Sequence, residues 1–331
     1  MTPTTQQVRL PSLDTSGSVL RREAIELGLS HDEIERLLHQ GVWVRVRYGA
    51  YAPGETWAQM TPEERHVVTA KAAQRSMKGV AVLGHTSAAL IHGMPVWGVD
   101  LNEIHLVRGA RHRGSRHEAG VVHHAASLPD DHVVEVDGVL VTSPLRTLAD
   151  LGRTVGFESA VVTMDAALHA NLTSKDALLD LLVAQNDWPG SRAGIRAAGF
   201  ADGQSESVGE SRGRVRVRDT GLPIPELQVV LRNEFGEFVA RCDWLFRDQQ
   251  TVGEFDGRIK MRKAGEHGRT PEEVLWQEKL REDAIRALGY EVVRVTWDDL
   301  ERAPAWLRRK ILAAFARAQG QPPPRGTVRV E

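Results

Sequence analysis

The stretch "CDWLFRDQQTVGEFDGRIK", residues 242–260, decides how the last third of the chain folds. "CDWLF" and "TVGEF" are short apolar runs with the character of half-buried strands, and "RDQQ" between them has the polarity of a loop. Yet Asp243, Glu254 and Asp256 lie on these strands. A carboxylate there is disfavoured unless a cation, a basic neighbour or solvent offsets its charge. If 247–250 is the loop, Phe246 faces Thr251, and counting outward sets Asp243 opposite Glu254, with Cβ atoms roughly 5 Å apart. Asp256, two residues beyond Glu254, shares its face. Like charges so placed repel or take up a proton, and a divalent cation relieves the conflict. Mg²⁺ is typically held by one or two carboxylates with waters and phosphate oxygens, which makes Asp243 and Glu254 candidate metal ligands. A solvated sheet end is the competing reading, because a slip of one residue turns Asp243 to the other face. The chain also holds "EVDG" at 135–138, close to "EFDG" at 254–257, and there Asp137-Gly138 reads as an ordinary hairpin turn.

Outward from this stretch the elements follow a simple order. A helix over about 207–220 stops near Gly221, with Pro223 and Pro225 beyond it. Strands are expected at 226–232, 238–246 and 251–256. Thr270-Pro271-Glu272-Glu273 is a capping box that opens a helix ending at Gly289, and "YEVVRVTW" (290–297) reads as a buried strand. Glu210, on the first helix, is a further candidate carboxylate. Lys260 and Lys279 are candidate catalytic cations; three of the seven lysines, at 260, 263 and 279, fall close to the acids. Leu280, Ala284, Ile285 and Leu288 are expected to form the apolar face of the capped helix. The tail "QPPPRGTVRVE" is expected to be disordered.

At the other end, residues 1–16 read as a polar arm. Two short helices follow between Arg21 and Leu38, the second capped by Ser30 with Glu33 three residues on. "GVWVRVRYGAYAP" (41–53) then reads as a basic hairpin with its turn at Tyr48-Gly49. Helix, helix, hairpin is the order of a winged helix-turn-helix. In that geometry helix 30–39 enters the major groove, and Arg36, Arg45, Arg47, Arg21 and Arg22 are the candidate phosphate contacts. Asp32, Glu33 and Glu35 on the same helix repel phosphate, so contact with another protein is the alternative use. A further helix opens at Thr61-Pro62, and residues 79–200 read as mixed strands and helices, with strands near 103–107, 119–124 and 132–142 and a helix opened by Ser143-Pro144. Histidines 112, 117, 123, 124 and 132 crowd this region beside the basic run "RGARHRGSRH". No H-x₃-H pattern on an expected helix supports a metal there, and a basic loop near nucleic acid or in solvent is the reading.

Composition narrows the classes. The 331 residues are 41% hydrophobic and 26% charged, ordinary for a globular protein of two or three domains. A net charge of -2 means that any nucleic-acid surface is a local patch. The single cysteine, Cys242, excludes an internal disulfide and a multi-cysteine zinc site, which fits a reducing cytoplasm. No signal sequence or membrane-length apolar run is present, so no membrane is expected as a partner; an organic cofactor is not expected either.

Taken together, "ARCDWLF", "TVGEFDG" and "EKLREDAIRALGYEVVRVTW" resemble the PD-(D/E)XK nuclease fold, in the branch related to very-short-patch-repair endonucleases. The resemblance implies an αβββαβ restriction-endonuclease-like domain over 205–304, with Asp243 and Glu254 as Mg²⁺ ligands. Asp256 stands where many members carry lysine, a place Lys260 or Lys279 would fill. "REAIELGLSHDEIERLLHQGVWVRVRYGAYAP" and "GHTSAALIHGMPVWG" resemble the AbiEi antitoxin-type transcriptional regulators of type IV toxin–antitoxin systems. That likeness implies a winged helix over 17–78, an AbiEi-like middle region over 79–200, binding to double-stranded DNA, and a cognate toxin or a second copy as partner. The expectation is an α+β multidomain bacterial DNA-binding protein, either a metal-dependent endonuclease or a non-catalytic repressor.

Overall fold

Capping residues and apolar spacing set the helix starts, and the structure follows them closely. The computed structural model describes residues 17–77, 79–109, 116–118, 120–257 and 270–330. It is a mixed α and β protein in which the described residues form three sheets. Two units divide the chain: one takes in residues up to Thr163 together with Leu172–Arg196, the other Met164–Asn171 and the chain from Ala197 on.

The first unit begins with β1 (Val19–Leu20), α1 (Arg21–Glu26), α2 (His31–His39), β2 (Trp43–Arg47) and β3 (Ala50–Pro53). The strands make an antiparallel sheet in the order β1-β3-β2. Ser30 and Glu33 cap α2 reciprocally, as their spacing predicts. Ile34 and Leu37, three apart on one helical face, bury themselves against Trp43 and Tyr51, whose rings stack 5.6 Å apart. After α3 (Gly54–Gln59) and α4 (Pro62–Arg75), a second sheet is built from β4 (Val82–Leu83), β5 (Ile104–Arg108), β6 (Arg116–Glu118), β7 (Val121–Ala125), β8 (Val133–Val136) and β9 (Val139–Thr142). Its order is β6-β7-β5-β4-β9-β8, with α5 (His85–Ile91) following β4. Asp137 and Gly138 both have positive φ and close the β8–β9 hairpin, so "EVDG" is the turn it was read as. Helices α6 (Pro144–Thr154), α7 (Phe157–His169), α8 (Lys175–Ala184) and α9 (Ser191–Phe200) complete the middle of the chain.

The second unit runs α10 (Val208–Asp219), β10 (Glu226–Arg232), β11 (Phe238–Phe246), β12 (Thr251–Asp256), α11 (Pro271–Ala287), β13 (Glu291–Thr296), α12 (Trp297–Glu301), α13 (Pro304–Ala318) and β14 (Thr327–Val330). The sheet order is β13-β12-β11-β10-β14, antiparallel except for β12 and β13, which run parallel on either side of the α11 crossover. One face carries Trp244, Phe246, Phe255 and Val295 against α10 and α13; the other carries Val229, Cys242, Leu245 and Val252 against α11. Two expectations are corrected here. The tail is not disordered throughout: Thr327–Val330 alternates in the manner of a strand and pairs along β10, covering what would be an open edge. Leu280 is exposed along with Leu275 and Trp276, and the core receives Ile285 from the last turns of α11 and Leu288, which caps its end. The earlier turns carry Glu278, Arg281 and Glu282, which reach sheet residues as ion-pair partners.

Helix α10 lies so close to the sheet that two of its glycines have no room for a side chain. A Cβ on Gly213 would lie 2.2 Å from the Trp244 ring, and one on Gly209 would lie 1.9 Å from Phe255. Alanine ordinarily stabilises a helix over glycine, by about 1 kcal/mol, but overpacking costs about 1–3 kcal/mol. Gly213→Ala is therefore expected to lower the melting temperature. Gly199→Ala, on α9, meets nothing within 4 Å and is expected to raise it. Thermal melts of the two variants check the pair.

Candidate functional site

The hairpin register is the one that the loop length predicts. Phe246 pairs with Thr251, Leu245 with Val252 and Trp244 with Gly253, and the paired ladder ends there, one residue short of Asp243 and Glu254. What the arithmetic leaves out is a break in the sheet. On the β10–β11 side, Leu227 pairs with Trp244 and Val229 with Cys242, while Gln228 between them takes a left-handed φ of 47°. Leu227 and Trp244 belong to the core on the α10 face, Val229 and Cys242 to the core on the α11 face. The alternation of faces thus reverses at Gln228 and Asp243. Asp243 uses this bend to accept a hydrogen bond from the backbone N–H of Phe255 at 2.8 Å.

The other acids each have a basic or polar neighbour. Glu254 is buried and lies 2.8 Å from the Arg281 guanidinium of α11. Asp256 is 3.9 Å from Arg294, which also engages Glu278 and Glu282. Glu210 accepts from the Ser207 hydroxyl at 2.7 Å, the Glu206 backbone N–H at 3.1 Å and the Gln228 side-chain amide at 2.9 Å. Even so, burial and then the charge of Asp243 hold the Glu210 carboxyl above its usual range. Burial, followed by Glu254, pushes the Cys242 thiol up to about 12. Burial is the larger cause of both shifts, and a nearby carboxylate adds to each, Asp243 for Glu210 and Glu254 for Cys242. Carboxylates of this kind suit a hard divalent cation. Arg281 already neutralises Glu254, and among the described residues the acids do not gather their oxygens within 4.8 Å of one another. Lys279 is exposed, its Nζ 5.9 Å from the Trp276 ring on the same helix. Lys260 lies outside the described residues.

At the chain's other end, the five arginines differ in availability. Arg36 is exposed on α2. Arg45 is exposed on β2 and 3.7 Å from Glu35, an ion pair that solvent screens. Arg47 is half-buried, its Nε enclosed and its charged form disfavoured by burial. Arg21 meets His31, and Arg22 donates to the Arg75 carbonyl at the end of α4. Arg36 and Arg45 thus present the most accessible charge, while Tyr48 at the hairpin tip is 89% exposed.

A third group was not legible from sequence spacing. His85, His105 and His124 come together in the first unit, each offering a nitrogen within 4.8 Å of the others. His124 was noticed only as part of a basic region, and His85 and His105 lie too far apart in the chain to form a motif. His112 is outside the described residues.

No family model matches the chain. An uncharacterized protein of Mycobacterium tuberculosis strain CDC 1551 / Oshkosh is 28% identical over 295 residues, covering 88% of this chain and 99% of the relative. An uncharacterized protein from strain ATCC 25618 / H37Rv aligns with the same identity and coverage.

The raised Glu210 carboxyl has a consequence for stability. Below 4.5, the ordinary value for glutamate, the folded and unfolded states both hold the proton, and no difference arises. As pH rises past that value the unfolded chain releases the proton first, and stability falls until the folded group ionises as well. Asp243→Asn keeps an acceptor for the Phe255 N–H and removes one source of repulsion. In chelator-treated protein this variant is expected to melt higher relative to wild type at about pH 8 than at about pH 4. An equal difference at both pH values would count against the coupling.

Proposed function

We propose that the protein binds double-stranded DNA and that its second unit is a PD-(D/E)XK-like, Mg²⁺-dependent nuclease domain. The observation that carries this reading is the placing of two acids on adjoining strands, Asp243 on β11 and Glu254 on β12, each next to the last ladder pair Trp244–Gly253, with Glu210 of α10 feeling the charge of Asp243. The element order α10-β10-β11-β12-α11-β13 supports the same assignment. Asp243 and Glu254 would hold the ion, and Glu210 would complete the acidic set. When bound, Mg²⁺ activates water and neutralises charge growing on a scissile phosphate. Arg281, about one-third exposed, would turn from Glu254 toward a phosphate oxygen as the carboxylate engages the cation. Lys260 is the remaining candidate for orienting the attacking water; Lys279 stands over Trp276 and is the weaker choice. The front of the first unit is read as a winged helix followed by an AbiEi-like region, with Arg36 and Arg45 as phosphate contacts.

The Arg281–Glu254 pair also favours a second reading. An acid already neutralised by a guanidinium has less need of an ion, and the protein would then be a non-catalytic, antitoxin-type repressor that binds DNA with a toxin or a second copy as partner. Cleavage separates the two. Nicking of supercoiled plasmid that needs Mg²⁺ and disappears in Asp243→Ala and Glu254→Ala is the expected result. Specific DNA binding with no nicking by clean wild-type protein would favour the repressor. Under either reading Arg36→Ala and Arg45→Ala are expected to weaken binding across sequences, each lowering the slope of log affinity against log salt by about 1. Fluorescence anisotropy at several salt concentrations measures it.

A further inference from the structure

We propose that His85, His105 and His124 form a binding site for a divalent transition-metal ion of the zinc class, separate from the acidic cluster of the second unit. His105 and His124 stand on the parallel neighbours β5 and β7, with His105 paired to Val122 and His124 to Val107. The two imidazoles therefore share a sheet face as diagonal neighbours. His85 opens α5 immediately after β4, and its ring stacks on His124 at 3.7 Å. The three thus come from elements that the sheet fixes in place, as a metal site requires.

Their chemistry fits. A metal takes the neutral imidazole, which keeps a lone pair. Burial is the first cause that keeps all three rings neutral, His85 well below its ordinary value and His105 and His124 each at about 4; neighbouring rings act in the same direction on His85 and His105, while Asp150 opposes the shift of His124. His105 Nδ1 and His124 Nε2 are 2.9 Å apart. Zinc sits about 2.0–2.1 Å from each nitrogen, so ligands at tetrahedral corners stand roughly 3.4 Å from each other. Ring rotation that opens the His105–His124 hydrogen bond would bring the observed nitrogens, all within 4.8 Å of one another, to that spacing. His85 is 5% exposed, and its Nδ1 has no hydrogen-bond partner among the described residues. A buried polar atom left in that state is destabilising unless something else engages it. The backbone of His85 also adopts a φ of 52°, a left-handed conformation that bulky residues rarely take and that persists where surrounding structure imposes it.

A fourth position remains open. The histidines line a cavity of about 320 Å³ that Asp100, Glu103 and Thr86 also face. A water or one carboxylate there completes four-coordination, the arrangement of three protein nitrogens plus an exchangeable ligand. Imidazole donors favour zinc, cobalt, nickel or copper over magnesium, so this site and the acidic cluster select different ions.

The experiment uses the full chain, stripped with chelator and titrated with Zn²⁺ by calorimetry, with Co²⁺ as a spectroscopic probe. The expected result is saturable uptake of about one ion per chain, weakened about tenfold or more in His105→Ala and in His124→Ala. His117→Ala, which removes an exposed neighbouring histidine, should bind as wild type. Cobalt-loaded wild type should show visible bands of a four-coordinate nitrogen–oxygen site, a readout that does not depend on the variants folding. The absence of stoichiometric zinc uptake by wild type, uptake unchanged in the double variant His105→Ala/His124→Ala, or cobalt spectra of the hydrated ion alone would each overturn the assignment.

Discussion

Negative charge confined in the second unit is the constraint around which its sheet is arranged. Three acids, Glu210 on α10, Asp243 on β11 and Glu254 on β12, are held at least partly out of water in this unit, and each is balanced differently. Asp243 takes a backbone N–H, Glu254 a guanidinium, and Glu210 a hydroxyl, a backbone amide and a glutamine. These partners do not bring Glu210 back to the ordinary glutamate range: burial first, and then the charge of Asp243, leave it holding its proton more tightly. Bending the sheet at Gln228 is what lets Asp243 leave the regular alternation and enter this group. A left-handed residue in a strand, which costs on the order of 1–3 kcal/mol, survives because the two apolar cores on either side hold the strands in place.

The same packing explains why α10 can deliver Glu210 to the sheet. With glycine at 209 and 213, the helix backbone comes down onto Phe255 and Trp244. Two buried arginines on the same helix meet acids and rings: Arg212 meets Glu301 and Trp297, Arg214 meets Asp165 and Phe200. Breaking either pair would strand a charge inside the unit, so these arginines serve the fold of the helix that carries Glu210.

Much of this was legible in the sequence because it is local. Ser30, Thr61, Ser143 and Thr270 cap helices where their spacing to the next glutamate or proline predicts, and the four-residue loop set the β11–β12 register. Features that depend on distant residues were not legible. Nothing in "ELQVVLR" marks Gln228 as the bend. "TVRV" is too short to read as a strand until β10 offers it an edge, and β4, two residues long, escapes any periodicity. The pairing of Arg281 with Glu254 likewise follows from how α11 lies on the sheet. The histidine cluster shows the same limit, since residues 85, 105 and 124 meet only through the order of strands.

The claim on which the functional account rests is that the acids of the second unit have affinity for a hard cation. Calorimetric titration of the full chain with Mg²⁺, an ion that imidazoles do not favour, measures it directly. The account predicts saturable uptake that is abolished by Asp243→Ala and retained in His105→Ala. Heats of dilution alone from folded wild-type protein, or identical binding in Asp243→Ala, would contradict it.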